Sequence, residues 1–501
     1  MKMVNPEDYK LKGRLKFLAK DSLLYGGAAM LNKGFSLITF PLLTRYLSVE
    51  EYGLMNYFFV FIGLAASFFV FGQDSAVARY FYEYRDKSSR RELISQSLLF
   101  QLFGLLFLLP LLWIGSNWIV SQMPQSPQTR ILLSLALIQI PFRLLFNFSQ
   151  NLLKWSFRRK QYLIIALGSV LYKLIFIAIA TMVLHFELSG IFIGLLISNV
   201  IFAAIGLWYI KEWLVIPKKF FFLKRLILFA APFGVIAVIG TMIPMIERII
   251  VNREFGVEEL GLYAVGATLA SLMYLLFGAF QTAWGPFSLS IYKSQDAIVT
   301  YNWVLKGFVV IACTIVLMLT AIAPFLQKFL ASGRYDGASI IVFPLAMGLV
   351  IQAVSGITEI GISLSKKSYL NIYGNTVLIL VTYFSIWIFI PYLGIFAVAL
   401  GVMIGKISQA IIQSFLAQKA YKLPWSYRPA IILITITISM GFLSSYFFSI
   451  SYKIASMMVL LISALIIPII GWFILFTKYE RDKVLIILAP FIKKFRSINI
   501  S

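Results

Sequence analysis

The sequence predicts an all-α, polytopic membrane protein of about fourteen transmembrane helices. It predicts two pseudo-symmetric six-helix lobes around a central cavity, with two extra helices at the C-terminal end. Three observations lead there. The 501 residues are 60% hydrophobic and 13% charged, with mean hydropathy +0.88; soluble domains average about 25% charged residues. Apolar runs long enough to cross a bilayer, about 20 residues each, recur along the whole chain. A short motif near the start returns in the second half, which predicts an internal repeat.

Fourteen spans are read at 22–46, 53–81, 92–115, 130–153, 161–184, 188–210, 226–251, 260–290, 304–325, 338–363, 368–390, 394–417, 430–450 and 454–476. The first run is too long for a cleavable signal and carries Lys33, so none is expected. The short acidic stretch Ser48–Gly53 is read as the turn joining the first two spans. The tightest connections, His185–Glu187 and Pro391–Leu393, predict antiparallel neighbours on either side.

The formal charge is +24. In a soluble protein that excess would suggest nucleic acid, but here its placement follows the membrane, and no nucleic-acid partner is expected. Counting Arg45, Arg130 and Lys306, at span ends, with the adjoining connections, 32 of the 44 Lys and Arg fall on one side of the predicted spans, six on the other and six within spans. The positive-inside rule then puts both termini in the cytoplasm, which requires an even number of spans. The basic tail 477–501 brackets the apolar run VLIILAPFI and is expected to lie along the anionic membrane surface.

Val49-Glu50-Glu51-Tyr52-Gly53-Leu54 recurs as Val257-Glu258-Glu259-Leu260-Gly261-Leu262, an offset of 208 that also aligns Arg45 with Arg253 and Gln73 with Gln281. Each copy begins with a proline-bearing helix, with Pro41 in one and Pro232 and Pro244 in the other. Proline removes a helical hydrogen bond, so these three are candidate hinges. Both copies run from cytoplasm to periplasm, which makes them parallel repeats about an axis along the membrane normal. The expected organisation is an N-lobe at 1–215, a C-lobe at 216–425, two added spans at 426–476 and the tail.

Charges within spans are candidate functional residues, because each is expensive at the bilayer centre. The N-lobe holds Lys33, Asp74, Arg79, Arg143 and Lys173, net +3; the C-lobe holds Glu247, Arg248, Glu359 and Lys406, net zero. Lys33, Arg143, Lys173 and Lys406 lie near mid-span, too deep to snorkel far. Too few acids share the N-lobe to neutralise its cations, so a water-filled cationic cavity for an anion is expected, with Arg79 and Lys406 as further candidates. Arg79 near its span end also reads as a snorkelling residue or a partner of Asp74. Asp74 and Glu359 are candidates for proton or sodium coupling, or for salt bridges with a nearby lysine. Glu247 and Arg248 are adjacent, hence expected to face different ways and not to pair; gating competes with simple solvation for them. Arg45 beside Glu50 and Glu51 reads as structural. Trp284, Tyr172 and Tyr383 are examples of aromatics able to stack on a sugar, but belt and lipid-facing roles are the simpler reading.

No paired carboxylates, nucleotide loop or metal cluster is read from the sequence, and the connection Ser116–Thr129 holds no Asp, Glu, His, Lys or Arg. The protein is therefore expected not to be an enzyme. Single Cys313 excludes an intrachain disulfide, and single His185 excludes a metal site built on two histidines. Neither a re-entrant filter nor a ring of like charges suggests a channel.

The residues Phe40-Pro41-Leu42-Leu43-Thr44-Arg45-Tyr46-Leu47, then Glu51-Tyr52-Gly53, then Gly72 and Arg79-Tyr80-Phe81 carry a resemblance. The chain resembles bacterial oligosaccharide flippases of the Wzx type, within the multidrug/oligosaccharidyl-lipid/polysaccharide exporter superfamily. The resemblance implies alternating access that carries a polyprenyl-pyrophosphate-linked oligosaccharide (undecaprenyl pyrophosphate as the carrier) to the outer leaflet of a bacterial cytoplasmic (inner) membrane. It implies no cofactor, coupling to H+ or Na+ as an option, and lipids and polysaccharide polymerase machinery as partners. Alternatives within the superfamily are a lipid II flippase and a multidrug exporter, the latter disfavoured by a cationic cavity. A polysaccharide polymerase or lipid-linked glycosyltransferase is the alternative from another class.

Overall fold

The computed structural model describes residues 34–35, 38–84, 86–217, 219–449 and 453–482. Helices are the only regular elements among them. After helical residues 38–46 come α1 (Val49–Val70), α2 (Gln73–Glu83), α3 (Lys87–Ile114), α4 (Thr129–Trp155), α5 (Arg159–Met182) and α6 (Leu188–Ile210). The second half holds α7 (Leu223–Ala270), α8 (Met273–Ile291), α9 (Ala297–Ala331), α10 (Val342–Thr358), α11 (Leu370–Leu393), α12 (Phe396–Ala420), α13 (Tyr427–Ser449) and α14 (Lys453–Leu475). Among the described residues, eleven helical segments are long and apolar enough to cross a membrane, and Tyr427–Leu443 is a shorter apolar helix. The first predicted span lies mostly outside the described residues.

Several boundaries depart from the sequence reading for identifiable reasons. Ser48–Gly53 is not a free turn but the start of α1. Ser48 accepts from the Glu51 amide at 3.1 Å, and Glu51 accepts from the Ser48 amide at 2.9 Å, a reciprocal cap that satisfies two orphan donors. The span 53–81 is interrupted at Phe71–Gly72, both in the left-handed region. The spans 226–251 and 260–290 are joined through α7, which keeps helical dihedrals through Pro232 and Pro244 and departs from them at Gly256, with φ 89°. The turn after α11 falls at Gly394, φ 55°, rather than at Pro391–Leu393, which complete the helix.

Contacts group the chain into two compact units. The first comprises the described residues up to Thr268, Gln327–Ala338 and Ser368–Gly405. Within it α4 packs on α6, with α5 on α6 and α1 on α4 beside it. Small residues permit that approach: a side chain at Gly206 would meet the Ser149 Cβ at 2.7 Å. The same unit holds a reciprocal helix-end contact. Arg45 donates to the Phe329 carbonyl, Thr44 to that of Leu330, and Arg334 to those of Thr44 and Arg45. Arg45 is thus structural, but through the end of α9 rather than through Glu50 or Glu51.

The second unit comprises Leu269–Leu326, Ser339–Lys367 and the described residues from Lys406 onward. α13 pairs with α14, and α8 packs on α10. Beyond α14, Glu480 accepts from Lys306 through both oxygens, at 2.7 and 2.8 Å, and also caps Thr477. Burial opposes its charged form, but the Lys306 and Thr477 hydrogen bonds outweigh that and hold its carboxyl below the usual glutamate range. This fixes the first turn of the basic tail, whose residues from 483 on lie outside the described set.

Candidate functional site

The first unit brings the two copies of the repeated motif together. A Cβ on Gly53 would stand 2.6 Å from the Gly261 nitrogen, and one on Gly261 would stand 2.1 Å from the Val49 carbonyl oxygen. The motif glycines are therefore where α1 and α7 touch backbone to backbone. Along the same pair of helices, Tyr52 and Thr268 hydroxyls lie 3.3 Å apart, Arg248 Nε donates to Asn56 at 3.1 Å, and Ser67 and Thr241 hydroxyls lie 2.8 Å apart. Farther along, Gly72 sits against the Ala230 carbonyl and the Gly234 nitrogen, where a Cβ would be 2.4 and 2.6 Å away. Its φ of 71° also favours glycine. The result is a seam of small residues and single hydrogen bonds along α1.

Glu247 and Arg248 lie beside this seam and correct the sequence reading. They are buried, at 4% and 6% exposure, not solvated. They do pair: Arg248 Nη1 donates to Glu247 Oε2 at 2.7 Å. Adjacent Cα–Cβ bonds diverge by about 100° on a helix, but the long arginine stem folds back. The Tyr263 hydroxyl donates to the same carboxylate oxygen at 2.8 Å, and the guanidinium lies over the Tyr263 ring at 5.2 Å. Burial leaves the two charges no better partner than each other.

Two candidate cations of the first unit, Arg143 and Lys173, lie on α4 and α5. Arg143 and Lys173 are half-buried and lie within each other's electrostatic field. The Lys173 ammonium sits 5.8 Å from the centre of the Phe146 ring. No acid pairs with either among the described residues. Lys33 lies outside the described residues. Arg79 is exposed on α2, with no ion pair to Asp74 among the described residues. Asp74 instead lies beside Asn151 and in the electrostatic field of Lys154.

Those last two residues were missed in the sequence, although a signal was there. Arg143, Asn147, Asn151 and Lys154 are spaced by four, four and three, one face of a helix, and all four are half-buried. Reading Lys154 as part of a cytoplasmic connection cut the stripe short.

In the second unit, Glu359 occupies the break between α10 and helical residues Ile360–Leu364, half-buried. Lys406 is half-buried on α12 and makes an interaction of its own. α10, α12 and α13 enclose an apolar groove of about 580 Å³, whose few polar groups include Ser355, Thr358 and Gln418. Of the aromatics, Trp284 is buried and stacked on Phe280, Tyr172 is half-buried and stacked on Phe176, and Tyr383 is exposed. Pro41 lies within helical residues 38–46.

This architecture has relatives. A membrane protein of Haemophilus influenzae described as uncharacterized is 28% identical over 355 residues, 67% of this chain and 81% of that protein. The solved structure of the lipid II flippase MurJ in an inward closed conformation is similar at TM-score 0.66, with 17% identity over 90% of this chain and 99% of that one. An inward-facing multidrug resistance MATE family transporter of the MOP superfamily is similar at TM-score 0.64, with 16% identity over 77% and 93%. The shared feature is the fold, that of a multi-pass membrane protein. The family described as polysaccharide biosynthesis protein matches residues 18–292. With more than half of its length so matched, the chain belongs to the polysaccharide biosynthesis protein family.

Proposed function

We propose that this protein flips polyprenyl-pyrophosphate-linked oligosaccharide repeat units from the cytoplasmic to the outer leaflet of the bacterial inner membrane. The observation that carries the reading is the proximity of Arg143 and Lys173 on α4 and α5, without an acid among the described residues to neutralise them. Two like charges held together within a membrane segment need an anion or water to be tolerated. A pyrophosphate offers several acceptor oxygens, which arginine engages in pairs and lysine as a point charge. Membership in a polysaccharide biosynthesis family supports a lipid-linked glycan as the cargo.

The proposed mechanism is alternating access across fourteen spans with both termini cytoplasmic. The seam between α1 and α7 closes and opens, and the head group follows the polar face of α4. The polyprenyl tail stays in lipid. The work is carriage, not bond chemistry, and Asp74 and Glu359 are the candidate carboxylates should transport be coupled to H+ or Na+. A lipid II flippase shares this fold, while a cation-exporting role runs against the sign of the charge on α4 and α5.

The test is translocation of a lipid-linked oligosaccharide in proteoliposomes, read by loss of access to an external glycosidase. Wild type should convert exposed to protected glycan with time, and Arg143→Gln and Lys173→Gln should each slow this at least tenfold while remaining folded. Full activity in both variants removes the cationic path. Absence of glycan movement together with efflux of small cations moves the protein to the exporter branch.

A further inference from the structure

Polar side chains in membrane helices ordinarily bond to a neighbouring segment, and amides are common in that role. α3 shows this use. Gln96 donates to the Lys219 carbonyl at 2.8 Å and accepts from the Phe222 amide at 2.9 Å, so both ends of its carboxamide are satisfied. α4 differs. Gln139, Asn147 and Gln150 stand four before, four after and seven after Arg143, on the same helix face. Asn147 and Gln150 are half-buried, and Gln139 is buried with its carboxamide oxygen unpartnered. Among the described residues, none of these three amides hydrogen-bonds another group. The side-chain hydrogen bonds of α4 are instead of the kind that Ser134 makes to Arg130 and Ser149 to Leu145, a hydroxyl turned onto the helix's own backbone. Asn151, on the same face, lies beside Asp74.

An unpartnered amide facing hydrocarbon is costly, so this face is turned to water or to a ligand. It is also the face of the cations. Arg143 belongs to it, and the Lys173 ammonium reaches the Phe146 ring of the same helix. The amides bring a different chemistry from the cations. A carboxamide has two donors and one acceptor, which suits hydroxyls that both give and accept, whereas its carbonyl oxygen repels a phosphate. The helical rise sets Asn147 about 6 Å and Gln150 about 10 Å from Arg143 along the axis.

We propose that Asn147 and Gln150 form a sugar subsite: their carboxamides hydrogen-bond the hydroxyls of the sugar joined to the pyrophosphate that Arg143 and Lys173 hold. This deepens, and rests on, the anionic head-group reading given above. The cations set affinity for any lipid pyrophosphate. The amides set the preference for one that carries a glycan, because a bare lipid pyrophosphate leaves them unpaired.

The experiment titrates purified full-length protein in neutral detergent with farnesyl pyrophosphate, a short soluble polyprenyl pyrophosphate. The same lipid carrying one glucose, galactose or N-acetylglucosamine is titrated beside it. Wild type should bind at least one glycosylated probe about tenfold more tightly than the bare one, as two neutral hydrogen bonds allow. Asn147→Leu and Gln150→Leu should each cut that preference about threefold and leave the affinity for bare farnesyl pyrophosphate unchanged. Arg143→Gln should weaken every probe alike. The ratio of the two affinities isolates the subsite, since a merely structural loss moves both together.

Wild type that binds no glycosylated probe more tightly than the bare one overturns the sugar subsite and leaves the head-group reading standing. So do Asn147→Leu and Gln150→Leu that weaken bare and glycosylated probes equally. No binding of any probe by wild type overturns both readings. If the leucine variants do not fold, Asn147→Ala and Gln150→Ala remove the same groups and must lower the same ratio.

Discussion

Gly261→Ala puts a methyl carbon where α1 already stands. The new Cβ would lie 2.1 Å from the Val49 carbonyl oxygen and 2.7 Å from Val49 Cγ1. Comfortable carbon–oxygen contacts begin near about 3.3 Å, so the helices must part by roughly 1 Å at this end of the seam. At that separation the Tyr52–Thr268 contact, already 3.3 Å, and the Arg248–Asn56 bond, 3.1 Å, both pass beyond hydrogen-bonding distance. Interhelical hydrogen bonds in membranes are worth about 0.6 kcal/mol each, and a gap of this size forfeits a quarter to a half of the local dispersion energy. The closed seam should lose about 2 kcal/mol, a roughly thirtyfold fall in its population relative to the open one. A single cysteine in place of Ser67, which faces Thr241 across the seam, reports the opening through its reaction with a membrane-impermeant maleimide. Native Cys313 is buried and stays silent. If the closed seam dominates in wild type, Gly261→Ala should raise the labelling rate by up to about thirtyfold. The paired change Ser67→Cys/Thr241→Cys should form a disulfide that arrests translocation until reduced. Equal labelling with and without Gly261→Ala in well-folded protein, or undiminished translocation by the cross-linked form, refutes the seam as a moving contact.

Three further outcomes are expected. Glu247→Gln leaves Arg248 buried without its carboxylate and should lower stability by about 3 kcal/mol, read as a lower thermal transition in detergent; an unchanged transition contradicts the buried pair. Lys306→Ala strips Glu480 of its main partner and should cost roughly 2 kcal/mol, less than a fully buried pair because Glu480 lies at the edge, and should expose the tail to limited proteolysis near Glu480. Asp86 caps α3, and hydrogen bonds from Ser89 and Ser88 hold its carboxyl down at about 2. Its contribution is therefore complete above its unfolded pKa of about 3.9 and is lost as pH falls toward 2. The stability difference between wild type and Asp86→Ala should shrink across that window, and a constant difference rules the cap out as its source.

Much of the architecture was legible because the bilayer imposes a simple rule on helix length. α6 falls at its expected bounds, 188–210, since a run of this hydropathy between Glu187 and Lys211 has no other stable state in lipid. The repeated motif was legible as sequence; that its two glycines touch each other was not, since the motif says nothing of its partner surface. The breaks at Phe71–Gly72 and at Glu359 carry no proline and are fixed by what packs around them, as the pressure of α7 on Gly72 shows. Asn147 and Asn151 escaped notice because a search for charge passes over amides. The stripe they complete appears only when all polar residues of α4 are placed at helical spacing.

The Glu247–Arg248 pair was misjudged for a reason that bears on how the seam could open. Glu247, Arg248 and Tyr263 all belong to α7, so the carboxylate, the guanidinium and the phenol satisfy one another within one helix. Among the described residues, the one hydrogen bond of this cluster that crosses to α1 is that to Asn56. Parting the helices therefore breaks a bond to a neutral amide and leaves no charge without its counter-charge. Had the glutamate stood on α1 instead, opening would separate a buried ion pair and cost about 3–5 kcal/mol at that point alone. The remaining cross-seam bonds, Tyr52–Thr268 and Ser67–Thr241, are hydroxyl to hydroxyl. A contact that must form and break in every transport cycle is best held by such weak neutral bonds and by glycine packing. Among the described residues, Arg143 and Lys173, without an acid partner, sit elsewhere, on α4 and α5, where the proposed anionic head group would complete them.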